Sequence, residues 1–241
     1  GYAIGFLSPL VEKYLPDGLD TIIGALLLAP AARLIAFAAD PVVNAAMEYI
    51  GMTITAATEQ SPVIMGFLLG GIMKMICTSP LSSMALTAML GLTGLPMGIA
   101  AIACVAGSFT NGILFARLHL GDRSNVIAVM LEPLTQAHII TRYPIPIYAS
   151  DFLGGGLAGI AAALLGIVNN APGTASPIPG LLAPFAFNPA GKVVLALAIG
   201  AASGIFAGLV GSFVFKRFVT GEKASVKAPV QVSGTALPSK V

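Results

Sequence analysis

The chain has 241 residues, of which 56% are hydrophobic and only 9% charged, with a formal net charge of +2. A soluble domain carries about 25% charged residues, so this composition excludes a soluble surface and defines an integral membrane protein. The small net charge gives no reason to expect a nucleic-acid partner, and with no Trp present an interfacial aromatic belt must rest on five Tyr and on Phe.

A spanning helix needs about 20 mostly apolar residues. Residues 2–11 are too short and read as a helix end or an interfacial piece; they lack the basic start and cleavage site of a secretory signal. The chain does not begin with Met, which leaves open whether helices precede Gly1. Residues 12–20 are a charged loop. Residues 21–39 form a candidate span broken by Pro30, and 41–57 an amphipathic segment with Asn44 and Glu48 four apart. Residues 62–77 are apolar except for Lys74, which is expected to snorkel or to pair with an acidic residue. Residues 79–94 are too polar and short for a comfortable span, whereas 96–116 are a clear one. A basic loop, 117–124, leads into 125–148. A Gly/Ala-rich span follows at 153–168, an irregular Pro/Gly-rich stretch at 169–189 and a last span at 192–215. The polar tail, 219–241, reads as disordered. The expectation is an all-α membrane protein of about six to eight hydrophobic helices, with one transmembrane domain over 1–218.

Within 125–148 lies the most polar stretch of the oily region, MLEPLTQAHIITRYPIP. Glu132, Gln136, His138 and Arg142 fall in eleven positions broken by Pro133, Pro144 and Pro146. Polar chemistry of mixed sign inside an apolar chain marks a pathway or a binding site. Glu132/Gln136 and His138/Arg142 are two i, i+4 pairs whose centres lie roughly 120° apart on an ideal helix. They converge on one ligand only if the helix is broken near Pro133. Glu132 would then accept hydrogen bonds, and His138 and Arg142 would donate them. Self-neutralisation of Glu132 and Arg142 at an interface is the plain alternative. Two further groups are candidates: Glu59 with Gln60, and Ser108, Thr110 and Asn111 together with Thr78, Ser79, Ser82 and Ser83. Hydroxyls in membrane helices also bond back to their own helix.

Ser79-Pro80 and Ser176-Pro177 each run through small and apolar residues to a Pro-x-Gly, with offsets of 97 and 93 residues. This suggests a repeated re-entrant hairpin followed by a helix. Irregular backbone survives at membrane depth only where protein or a water-filled cavity covers it, and paired broken segments point to a transport site. The basic loop 117–123 and the end at Lys216 and Arg217 read as cytoplasmic, together with the C-terminus. An even number of crossings must separate them, so 125–148 and 169–189 either both enter and return or both cross. Cys77 and Cys104 read as buried, reduced thiols, with no metal spacing. No phosphate-binding loop, dinucleotide fingerprint, HExxH or nucleophile elbow is present, which leaves no motif for an enzyme's own catalytic residues, a cofactor or a metal.

The run IMKMICTSPLSSMALTAMLGLTGLPMGIAAIA resembles the Ser-Pro-containing core of the EIIC membrane subunits of the bacterial phosphotransferase system. The run NNAPGTASPIPGLLAPFAFNP is similar to a Gly/Ser/Pro-rich loop of the same group, nearest its divergent second family. Glu132-Pro133 resembles the Glu-Pro of sugar-binding loops in glucose-type members. The resemblance covers roughly residues 20–217. It implies a multi-pass, dimeric inner-membrane subunit that binds a sugar or polyol and hands it to a separate IIB protein, with IIA upstream, for phosphorylation. The site residues would be Glu132, His138, Gln136, Arg142, Asn111, Ser79 and Glu59. A membrane sensor that binds a small ligand without moving it, and an ion- or proton-coupled carrier using Glu132 and His138, are the alternatives.

Overall fold

The computed structural model describes residues 30–31, 33–42, 45, 49, 52 and 61–219. The chain divides into two compact units, Gly1–Thr55 and Ala56–Val241. The described residues of the first unit are helical. Glu59, Asn44 and Glu48, and the tail from residue 220, lie outside the described residues.

In the second unit α1 (Pro62–Thr78) starts at Ser61, whose side chain accepts from the Ile64 amide, with Pro62 in the first turn. That is the position where a missing N–H does no harm. After α2 (Ser83–Met89) comes α3 (Gly94–Leu118), closed by His119 in the left-handed region at φ 51°. Asp122 and Asn125 form a reciprocal capping box that starts α4 (Arg123–Leu131). A 3-10 turn (Pro133–Gln136), the short α5 (Ala137–Ile140) and α6 (Pro144–Leu164) follow. Then come α7 (Pro177–Leu182), a 3-10 turn (Ala183–Ala186) and α8 (Ala190–Val214). No strand occurs among the described residues. Among the described residues three helices, α3, α6 and α8, are long and apolar enough to cross a membrane, and α1 is a shorter apolar helix beside them.

Close approaches fix the directions of these helices. A Cβ at Gly70 would strike the Gly155 carbonyl, and one at Gly159 the Gly66 carbonyl, so α1 and α6 run antiparallel. Small residues four apart on both helices allow the backbones to touch, the main source of helix association in lipid. Gly154 meets Thr110, and Gly98 meets Ile167, so α6 is also antiparallel to α3. Gly204 lies on the Ala106 carbonyl and Gly208 on that of Thr110, so α8 is parallel to α3. It follows that α1 and α3 are parallel to each other. The end bearing Pro62, Gly94 and Ala190 is called the lower end here, and that bearing Leu118 and Pro144 the upper. In α3 the most apolar window is 83% buried, against 33% in α8, so α3 is the central post and α8 the outer one.

The connections hold the surprises. Gly112 touches Met130, so α4 descends beside α3 from its upper end. Glu132 precedes a proline and is extended (φ −150°, ψ 103°), which ends the helix. The chain then climbs back: Ile140, Tyr143 and Ile147 pack with Leu114, Phe115, Leu118, Leu120 and Val129 near the upper end. Residues 123–143 therefore enter and return. Val219, at the start of the expected tail, is helical and buried in this same cluster.

Residues 165–189 enter and return from the lower end. At their turn, Ser176 also precedes a proline and is extended (φ −150°, ψ 159°). A Cβ at Gly180 would sit 2.7 Å from the Ala101 carbonyl, well inside α3. Side-chain amides satisfy this irregular backbone. Asn188 donates to the Val168 and Pro184 carbonyls and accepts from the Val168 amide, and Asn170 accepts from the Gly94 amide.

The Ser79-Pro80 segment is the turn and returning arm of an element whose rising arm is α1. Because α1 and α3 are parallel, residues 79–93 must carry the chain back over about 25 Å, with α2 as a half-length helix on the way. The segments after the two Ser-Pro sequences thus follow the same course: each descends from a turn to the lower end and leads into a 25-residue helix, and those two helices are parallel.

Candidate functional site

The two returning hairpins meet tip to tip. Ser176 Oγ donates to Glu132 Oε2 at 3.2 Å, so the two residues that precede a proline at the hairpin turns share a hydrogen bond. Beside them Ser83 Oγ, at the start of α2, donates to the Ala175 carbonyl at 2.6 Å. The three broken segments therefore converge on one place.

Next to this meeting point, at the level of Gly107 near the middle of α3, is a buried polar group. Lys74 of α1 and Asp151 of α6 are both fully buried, with Nζ 3.8 Å from Oδ1. Gly107 makes the room: a Cβ there would fall on the Lys74 side chain. Thr78, one turn along α1, accepts from Asn111 Nδ2 at 3.3 Å. Thr78 and Asn111 both stand beside the Asp151 carboxylate, and Glu132 lies within the field of Lys74. Ser108 shares the Asn111 face of α3, three residues earlier. Both cysteines are free and buried, and Cys77, beside Cys104, also lies next to Lys74 and Ser83.

This group is under-satisfied. Lys74 Nζ, Ser108 Oγ, Asn111 Oδ1 and both Asp151 oxygens are buried without a hydrogen-bond partner. The 3.8 Å separation of the ion pair is a Coulomb contact, longer than a hydrogen bond. Buried polar atoms nearly always find partners, and ionisable side chains within a membrane bundle mark substrate or ion paths.

The expected site residues separate. Glu132 and Asn111 belong to the central assembly. Gln136 is buried but engaged: its Oε1 accepts from Asn125 Nδ2 at 2.7 Å, bracing the upper hairpin across its two arms. His138 and Arg142 are exposed on the returning arm, Arg142 5.6 Å above the Tyr143 ring. Ser79 caps its own helix, donating to the Ile76 carbonyl and accepting from the Leu81 amide. Asp151 is absent from the sequence reading because it falls just before the apolar run, where a span is expected to begin. A signal for it exists: Gly66-Phe-Leu-Leu-Gly-Gly and Asp151-Phe-Leu-Gly-Gly-Gly are similar runs, and in the fold they face each other, with Phe67 and Phe152 edge to face at 5.4 Å. Among the described residues no group of His, Cys, Asp and Glu could hold a metal.

Apolar spanning helices, two hairpins that meet from opposite ends and a buried polar group between them define a multi-pass membrane transport protein. The chain belongs to the phosphotransferase system EIIC family, whose model matches residues 1–228. It is thus a membrane subunit of sugar transport, placed in the inner membrane. No curated protein and no solved structure matches the chain.

Proposed function

We propose that the protein carries a sugar or polyol across the membrane through the junction of its two hairpins and presents it to a separate IIB protein for phosphorylation. The observation that supports this most is the Ser176–Glu132 contact, where hairpins from opposite ends close over buried, unpartnered polar atoms. Parting the upper tip would open the centre to one side and parting the lower tip to the other, the geometry alternating access requires. Arg117, Lys216 and Arg217 gather at the upper end, which supports reading that end as cytoplasmic and as the face offered to IIB. Two copies forming a dimer are part of the same reading.

Uptake into membrane vesicles tests it. Sugar should accumulate as its phosphate only with phosphoenolpyruvate and the soluble phosphotransferase proteins present, and Glu132→Gln should lower uptake at least tenfold. Accumulation of unmodified sugar without a phosphoryl donor would refute it. A pH-driven flux of that kind would favour a proton-coupled carrier, the reading to which the buried Lys74–Asp151 pair lends some weight.

A further inference from the structure

Three features of the central group limit what it can hold. Its open donors are the Lys74 ammonium and the Ser108 hydroxyl, and its open acceptors are the two Asp151 oxygens and Asn111 Oδ1. Donors and acceptors thus stand side by side, with Nζ and Oδ1 3.8 Å apart. Hydroxyls both donate and accept, whereas an apolar or acceptor-only ligand would leave the carboxylate unpartnered. The second feature is charge. Counting formal charges, Lys74 contributes +1 and Asp151 and Glu132 −1 each, so the centre carries one net negative charge. An anionic ligand would be opposed by two carboxylates with one cation to offset them. The third is location: the side chains come from α1, α3 and α6, which already touch, while the hairpin tips that cover them join by one side-chain hydrogen bond.

We infer that Lys74, Asp151, Asn111 and Ser108 form the substrate cradle, and that its ligand is a polyhydroxylated molecule without negative charge, gripped through neighbouring hydroxyls. One hydroxyl accepts from Lys74 and donates to Asp151; its neighbour donates to the second Asp151 oxygen or to Asn111. This deepens the transport reading above and rests on it. It moves the weight of recognition from exposed His138 and Arg142 to a pair of charges on α1 and α6. Specificity is then partly exclusion: sugar acids are rejected by Asp151 and Glu132, while an added amine is tolerated.

The test uses the purified full-length protein in lipid nanodiscs and isothermal titration with hexoses, hexitols, hexosamines, hexuronates and singly deoxygenated hexoses. At least one neutral compound should bind. The matching uronate should bind at least tenfold more weakly, and loss of one hydroxyl of the gripped pair should weaken binding 10- to 100-fold. A single charge substitution can unfold the bundle, so the decisive variant is the charge-free Lys74→Met/Asp151→Asn, checked for folding by gel filtration and thermal melting. Its binding should fall at least 30-fold. Asn111→Ala supplies a second, milder variant with an expected tenfold loss. Unchanged affinity in a folded double variant, or uronates binding as tightly as the neutral sugars, would overturn the cradle while leaving the transport reading intact. If no compound in the panel binds the wild-type protein, the transport reading fails with it.

Discussion

Removing one member of the Lys74–Asp151 pair should destabilise the protein far more than removing both. Lys74→Met leaves a fully buried carboxylate without its cation. At 3.8 Å and an effective dielectric constant of about 20, the lost attraction is about 4 kcal/mol. This agrees with the ~3–5 kcal/mol expected when one partner of a buried pair is orphaned. Asp151→Asn orphans the ammonium in turn and should fall in the same range. The double variant removes both charges, keeps the volumes close to the original and should lose only about 1–2 kcal/mol, since an apolar or neutral replacement of a buried pair is often nearly neutral. Equilibrium unfolding by SDS titration in mixed micelles measures all three against wild type. The double-mutant cycle should then show a coupling of at least about 3 kcal/mol. Additive losses of under ~1 kcal/mol for each single variant would refute the reasoning, because they would mean that water or lipid headgroups reach the pair.

Three further outcomes are expected. Gly70→Leu or Gly155→Leu should destabilise by at least about 2 kcal/mol in the same titration, because the new side chain meets backbone, while Gly191→Ala, with open space around it, should change little. Single cysteines placed at exposed Ser61, Thr93 and Ser124, in a chain whose Cys77 and Cys104 are replaced by alanine, should label from one side at 61 and 93 and from the other at 124; labelling of 61 and 93 from opposite sides would break the parallel arrangement of α1 and α3. Ser176→Ala should lower stability by only about 1 kcal/mol yet speed amide exchange in 134–136, with the Asn188-braced segment left protected.

Much of the fold was legible because bilayer physics is blunt. Length and hydropathy located α3, α8 and the second half of α6, which begins at Pro144, nine residues before the expected span, and the count of crossings between basic ends left two choices, of which the pair of segments that enter and return is the one seen. Pro133 and Pro177 carry the turn signal in their own chemistry. What local patterns could not show was direction. The Ser79-Pro80 stretch reads as a whole hairpin in sequence, and only the packing of Gly107 against Lys74 and of Asn111 against Thr78 reveals that it is the returning arm between two parallel helices. The site was half legible for a related reason. Glu132 and Asn111 stand out as polar residues in oily surroundings, but His138 and Arg142 look identical by that measure and turn outward. Lys74 and Asp151 become a pair only when two glycine-rich helices touch 77 residues apart, and no local window spans that distance.

The hydrogen bonds that close the bundle also set a clock for its biogenesis. Ser83 bonds to the carbonyl of a residue 92 positions later, and the Gly94 amide to a side chain 76 positions later. At about 5–20 residues per second, the ribosome needs roughly 5–20 s to supply the first of these partners. Until then the non-helical backbone on either side of α2, at 79–82 and 90–93, lacks these partners, and lipid does not tolerate such backbone uncovered. The first half of the protein must therefore wait at the membrane surface or under an insertion factor, and it settles only when the lower hairpin has been made.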